Sequence, residues 1–142
     1  MTPLTITVLG TPVAKARPRM TRSGIAFTPA KTRSYETYVR LVAQEEMKAA
    51  RIGMMEGPLR MTMRVDLPIP SSWSKRKQQQ AITGEIRPCT RPDIDNFIKA
   101  AMDACNGIVF SDDSQVVRLE ASKRYALQPK LVLTVAPEEA AV

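Results

Sequence analysis

The chain has 142 residues, 44% hydrophobic and 25% charged, a size and balance suited to one domain with a sizeable core. Twenty-one Lys and Arg against 14 Asp and Glu give a net charge of +7, which favours polyanionic partners, although a basic surface also fits a merely soluble protein. With no histidine and two cysteines, His-dependent hydrolases and zinc sites are excluded, so any hydrolytic metal must be a hard ion on oxygen ligands.

Leu4, Ile6 and Val8 alternate with Thr5 and Thr7, which predicts a short strand closed by Gly10 and Pro12. Residues 14–27, punctuated by Pro18 and Gly24, read as a basic loop or edge hairpin. Thr32 is placed to cap a helix on which Tyr35, Tyr38, Val39, Val42 and Met47 share a face, and Gly53 to end it. Leu59, Met61, Met63, Val65 and Leu67 alternate with Arg60, Thr62, Arg64 and Asp66, a half-buried strand stopped by Pro68 and Pro70. Residues 71–92 are polar and basic, with a short helix near Ser74–Ile82, a break at Gly84, and the composition of a mobile segment.

A second main helix is predicted over 94–106, where Ile94, Phe97, Ile98, Ala101, Met102 and Cys105 form one apolar stripe and Gly107 can terminate it. Val116–Tyr125 and Leu131–Val135 read as a closing pair of strands around Gln128–Pro129, with 137–142 expected to fray. The order predicts an α+β fold, a mixed α/β layer: a small sheet of about four to five strands with two main helices packed on it, in a single domain. Apolar runs fall short of the roughly 20 residues a membrane helix needs, so a cytoplasmic protein with no membrane partner is the expectation. Cys89 and Cys105 are too far apart for a CxxC pair and are expected to be reduced.

The segment RPDIDNFIKAAMDACNGIVFSDDSQVV, residues 91–117, carries most of the chemical signal. Asp93 and Asp95 enter the helix where unpaired N–H groups and the dipole favour negative charge, so an N-cap and a first-turn acid explain them without any function. Asp112 and Asp113 equally suit an ordinary turn. Taken together, however, the apolar stripe leaves Asp95, Lys99 and Asp103 on the opposite side at spacings of four. The loop that follows can fold Asp112 and Asp113 back toward the helix start. Clustered carboxylates repel, by about 1 kcal/mol for two charges about 4 Å apart in water and several-fold more when partly buried. A divalent cation removes that repulsion; protonation of one acid is the alternative.

The same segment resembles the signature of the RusA family of Holliday-junction resolvases, approximately D-hydrophobic-DN-x2-K-x3-DAL-N-G followed by DD-x-QV. GTPVAKARPRMT, FTPAKTRSYE and IPSSWSKRK also resemble phage-type members, so the likeness runs from about residue 9 to 117. The resemblance implies metal-binding, catalytic acids at Asp93, Asp95 and Asp113, with Asp112 a supporting ligand and Lys99 the motif lysine. It further implies Mg2+ (with Mn2+ substituting), a homodimer, and paired nicking of a four-way DNA junction that leaves 5′-phosphate ends. Lys99 is cast as a phosphate contact, or else as a partner of a carboxylate. The basic region 71–90 departs from the most compact members, which leaves the DNA contacts there open.

For DNA binding the sequence offers Lys15, Arg17, Arg19 and Arg22 in one extended stretch and Lys75, Arg76 and Lys77 in another, each of which a solvated loop would also explain. A non-catalytic binder of branched DNA, and a nuclease acting on forks or flaps, are the competing readings.

Overall fold

The computed structural model describes residues 3–16, 19–27 and 29–139. In chain order the elements are β1 (Leu4–Leu9), β2 (Arg19–Met20), β3 (Ala26–Phe27), α1 (Ala30–Ala50), β4 (Leu59–Pro68), α2 (Lys75–Thr83), α3 (Ile94–Cys105), a 3-10 turn at Asp113–Gln115, β5 (Val116–Ala126) and β6 (Lys130–Pro137). Four strands form one sheet in the order β1-β6-β4-β5, and β2 and β3 form a separate small ribbon. Fold class and the four-stranded sheet agree with the sequence reading.

β4 lies inside the sheet because one of its faces is continuously apolar: Leu59, Met61, Met63 and Val65 are all buried. It pairs antiparallel with β6 and parallel with β5. The parallel pair requires a long crossover, which residues 69–115 supply with α2 and α3. The two last strands are therefore no hairpin, contrary to the closing pair expected. Leu127–Pro129 carry the chain past the end of β4, and β5 and β6 flank that strand on opposite sides. Pairing each of them with β4 gives both a buried neighbour, which a two-stranded closing ribbon would not.

α1 and α3 pack on the same apolar sheet face and on each other. The core joins Leu4, Ile6 and Val8 to Leu131, Leu133 and Val135, with Val39, Ala43 and Met47 of α1 and Phe97, Ala101 and Ala104 of α3 above them. Burying the Val, Leu, Ile, Met and Phe side chains among these contributes about 1.5–3 kcal/mol each.

Three boundary details differ from expectation. Thr32 is inside α1, not its cap; it is buried and its hydroxyl accepts from the Ala16 amide at 3.3 Å, which ties the N-terminal loop to the helix. Arg51, with φ 56°, ends α1 in the left-handed conformation, so the stop falls before Gly53. Tyr38 is exposed, whereas Ala43 takes part in the buried face.

In the basic region the short helix expected near Ser74–Ile82 and the break at Gly84 are both present: Ser74 Oγ accepts from the Lys77 amide at 3.2 Å, Gly84 closes α2, and Trp73 meets Tyr125 edge-on at 5.2 Å. β6 extends to Pro137, and Glu138 is held by a hydrogen bond from its N–H to Pro58 O and an ion pair with Arg118. Pro137 and Glu138 are therefore not frayed as expected, and residues 140–142 lie outside the described part. No helix among the described residues is long and apolar enough to cross a membrane.

Candidate active site

α3 forms for the reason its stripe suggests. Phe97, Ala101 and Cys105 are buried in the core, Ile94, Ile98 and Met102 are partly buried, and Asp95 and Lys99 are exposed on the other side. Asp93 stands at the N-cap position with extended dihedrals, φ −70° and ψ 150°, yet its carboxylate makes no capping hydrogen bond. The backbone role is filled while the side chain stays free, so capping does not account for this acid. Asp95 lies in the first turn, where the helix dipole favours its charge.

The chain leading into Asp93 is fastened from two directions. Lys123 of β5 donates from Nζ to Thr90 O at 2.8 Å and to Pro92 O at 2.9 Å. On the other flank the Lys15 amide donates to Asn96 O at 2.8 Å. Beside this junction is a groove of about 540 Å3, lined by Thr11–Ala16, Pro29, Lys31, Thr32, Pro92 and Asn96.

The ion pairs among the described residues are Lys15–Glu36, Lys15–Asp103, Arg64–Asp66, Arg124–Asp66 and Arg118–Glu138. None of them takes Asp93, Asp95, Lys99 or Asp113. Asp95 and Lys99, four apart, therefore do not pair with each other. Asp103, which the spacing put on the same open face, is instead turned into the molecule: it is bonded to Lys15 at 3.1 Å, and Arg40 of α1 donates to the Asp103 and Ala104 carbonyls. A guanidinium at the last carbonyls of α3 complements the negative end of the dipole.

Asp112 and Asp113 have separate fates. Asp112 caps the 3-10 turn: its carboxylate accepts from the Ser114 amide at 3.0 Å, and Gln115 Oε1 accepts from the Ser111 and Asp112 amides. Hydrogen bonds from Ser114 hold the Asp112 carboxyl below the usual carboxylate range. The turn reading accounts for Asp112. Asp113 is half-exposed and has no ion-pair partner among the described residues. The loop that carries both is tied to the C-terminal end of α3, where the Gly107 amide donates to Phe110 O at 2.8 Å and Asn106 bridges Phe110, and Gln115 hooks it to Met55 O and Gly57 O.

The acids thus form two groups. Asp93 and Asp95 stand at one end of α3; Asp112 and Asp113 hang from the other, and twelve helical residues span about 18 Å. Oxygens sharing one small hard ion must each lie about 2.0–2.1 Å from it. Among the described residues no group of three or more Asp, Glu or Cys is arranged to hold a metal ion. By donor chemistry the set fits a hard divalent cation, since every available ligand is a carboxylate or carbonyl oxygen. By position, the described residues of one copy offer the Asp93–Asp95 pair at the first group.

The basic residues also separate. Lys15 bonds Glu36 at 2.6 Å as well as Asp103, and its side chain is only 16% exposed. Two internal carboxylates already neutralise it, which sets it apart from the exposed Arg22 of the same stretch. Burial opposes its charge, but Glu36 and Asp103 together raise its pKa above 10.5. Arg17 and the side chain of Arg19 lie outside the described part; Arg22 is exposed in the ribbon turn. Lys75, Arg76 and Lys77 are exposed in the first turn of α2, which contains no acid, and Lys77 Nζ sits 4.1 Å from the Trp73 ring centroid.

Sequence reasoning missed two residues here. Lys123 follows Leu119 and Ala121 on the face of β5 in register with Met61, Met63 and Val65, and that interruption of an apolar row was its available signal. Asp66 was read as an outward-facing strand residue, but it is fully buried, with Arg124 at 2.8 Å and Arg64 at 3.0 Å. Burial alone would raise its pKa; the hydrogen bonds from Arg124 and Arg64 outweigh that and lower it.

The chain is a small α+β fold with two exposed acids at the start of α3 that make no capping hydrogen bond at Asp93 and no ion pair among the described residues. Residues 10–136 match the sequence profile of endodeoxyribonuclease RusA. The chain belongs to that family. It is also 41% identical over 130 residues to the uncharacterised protein YqaN of Bacillus subtilis (strain 168), covering 88% of this chain and 89% of that protein.

Proposed function

We propose that this chain is a metal-dependent, structure-selective endodeoxyribonuclease that acts as a homodimer and resolves four-way (Holliday) junctions by paired nicking, leaving 5′-phosphate ends. The observation that carries the reading is the Asp93–Asp95 pair: two exposed carboxylates two residues apart at the start of α3, with no ion-pair partner among the described residues and no capping bond at Asp93. Family membership supports the nuclease class.

Asp93 and Asp95 would hold Mg2+ or Mn2+. When bound, such an ion supplies Lewis acidity and a lowered water pKa for phosphodiester hydrolysis. Lys99, one turn along the same exposed face, contacts the phosphate. Asp113 completes the set from a second copy, because the two acid groups of one chain stand at opposite ends of α3 while a twofold dimer can place unlike ends of two chains together. Asp112, engaged in its turn, orients Asp113. Lys75, Arg76 and Arg22 hold flanking backbone, and Lys77 adds a cation over Trp73.

The test is cleavage of labelled four-way junction, flap and linear duplex with Mg2+ and with Mn2+. Asp93→Asn, Asp95→Asn and Asp113→Asn should each abolish cutting while junction binding survives or tightens; Lys99→Ala should lower rate more than affinity. Turnover retained by any two of the three aspartate variants would falsify the assignment. Binding to junctions without cleavage by the wild type favours a non-catalytic role, and preferred cutting of flaps moves the substrate.

A further inference from the structure

We propose that Lys123 is a positioning residue that fixes the acid-bearing start of α3, an inference that rests on the nuclease reading above. Its half-buried stem leaves β5 opposite the buried Val65 of β4, on the sheet face that α3 covers. Apolar side chains fill that parity elsewhere along β4, so a lysine there requires an anionic or carbonyl partner. The structure supplies two: Thr90 O at 2.8 Å and Pro92 O at 2.9 Å. Both belong to an irregular segment in which no backbone amide of the described residues bonds them.

Pro92 O is part of the peptide that ends at the Asp93 nitrogen. Holding that carbonyl sets the plane from which Asp93 and then Asp95 project. An ammonium has three donors, and two are used here, which restrains direction as well as distance. Lys123 leaves β5 within its paired register to β4, so the clamp ties the helix start to the sheet. Misplacement of reacting groups by about 1 Å lowers rate by about 100-fold.

Lys123→Met keeps the stem and removes the donors; Lys123→Arg keeps charge and donors with altered geometry. We expect Met to lower kcat about 100-fold with metal-free junction Kd changed less than about threefold, and Arg to recover part of the loss. Independently of turnover, the Asn96–Ile98 amides of the Met variant should exchange about tenfold faster at an unchanged Tm. Full turnover of Lys123→Met, or unaltered exchange, overturns the clamp. A tenfold loss of metal-free junction affinity also overturns it, making Lys123 a phosphate contact. An inactive wild type defeats the nuclease reading instead, and the exchange comparison then decides the clamp alone.

Discussion

Replacing Lys15 with methionine distinguishes a cation that binds DNA from one that holds the fold. Its ammonium bonds Glu36 at 2.6 Å and Asp103 at 3.1 Å, and the three side chains are 16%, 13% and 29% exposed. Removing one partner from a fully buried pair costs about 3–5 kcal/mol, and exposed pairs contribute about 0–1 kcal/mol. The partial exposure here puts the loss near 2–3 kcal/mol, with two half-buried carboxylates left facing each other. At about 4 °C per kcal/mol for a chain of this length, Tm should fall by roughly 8–12 °C. The pH dependence has a definite sign. The folded pKa of Lys15 is raised, so its contribution is complete below 10.5 and is lost as pH rises through the folded value. The gap between wild type and variant in urea melts should therefore be full at neutral pH and shrink in strong alkali. Junction binding should keep its salt dependence. A variant with unchanged Tm whose log Kd against log[salt] slope drops by about 0.9 would refute this assignment and restore Lys15 to the DNA surface.

Changing Lys75, Arg76 and Lys77 together to glutamine should reduce that salt slope by about 2–3 without lowering Tm, since cations in the first turn of α2 oppose its dipole; a flat response removes α2 from the interface. Asp66→Asn should cost about 2–3 kcal/mol in urea unfolding, discounted from a fully buried pair because Arg64 and Arg124 are 38% and 54% exposed. The Asp66 pKa is lowered on folding, so its contribution is present above the ordinary carboxylate pKa and disappears as pH falls through the folded value; a gap that persisted in strong acid would contradict the ion pairs. Mixing Asp95→Asn with Asp113→Asn copies should restore single nicks in the mixed dimer, since one of its two sites then has intact acids from both chains. No restored nicking from a mixture shown to exchange subunits would place all three acids within one copy.

The sequence by itself determined the elements whose signal is local. Period-two apolar rows at Leu4–Val8 and Leu59–Val65 give β1 and β4, and the stripe from Ile94 to Cys105 gives α3, because side-chain periodicity follows directly from backbone geometry. The motif at 91–117 likewise pointed to the family, which the match over 10–136 bears out. Partnership across the chain was decided only by the tertiary structure. Periodicity gives a strand's faces but not its neighbours, so the insertion of β4 between β5 and β6 was invisible. Charge counts cannot tell a solvated cation from a neutralised one: Lys15 looked like its exposed neighbours until Glu36, 21 residues away, and Asp103, 88 away, closed on it. The same holds for the acids. Asp93 and Asp113 are brought near or kept apart by the length of α3 and by the loop bonded to its far end, and that separation depends on contacts between residues remote in sequence.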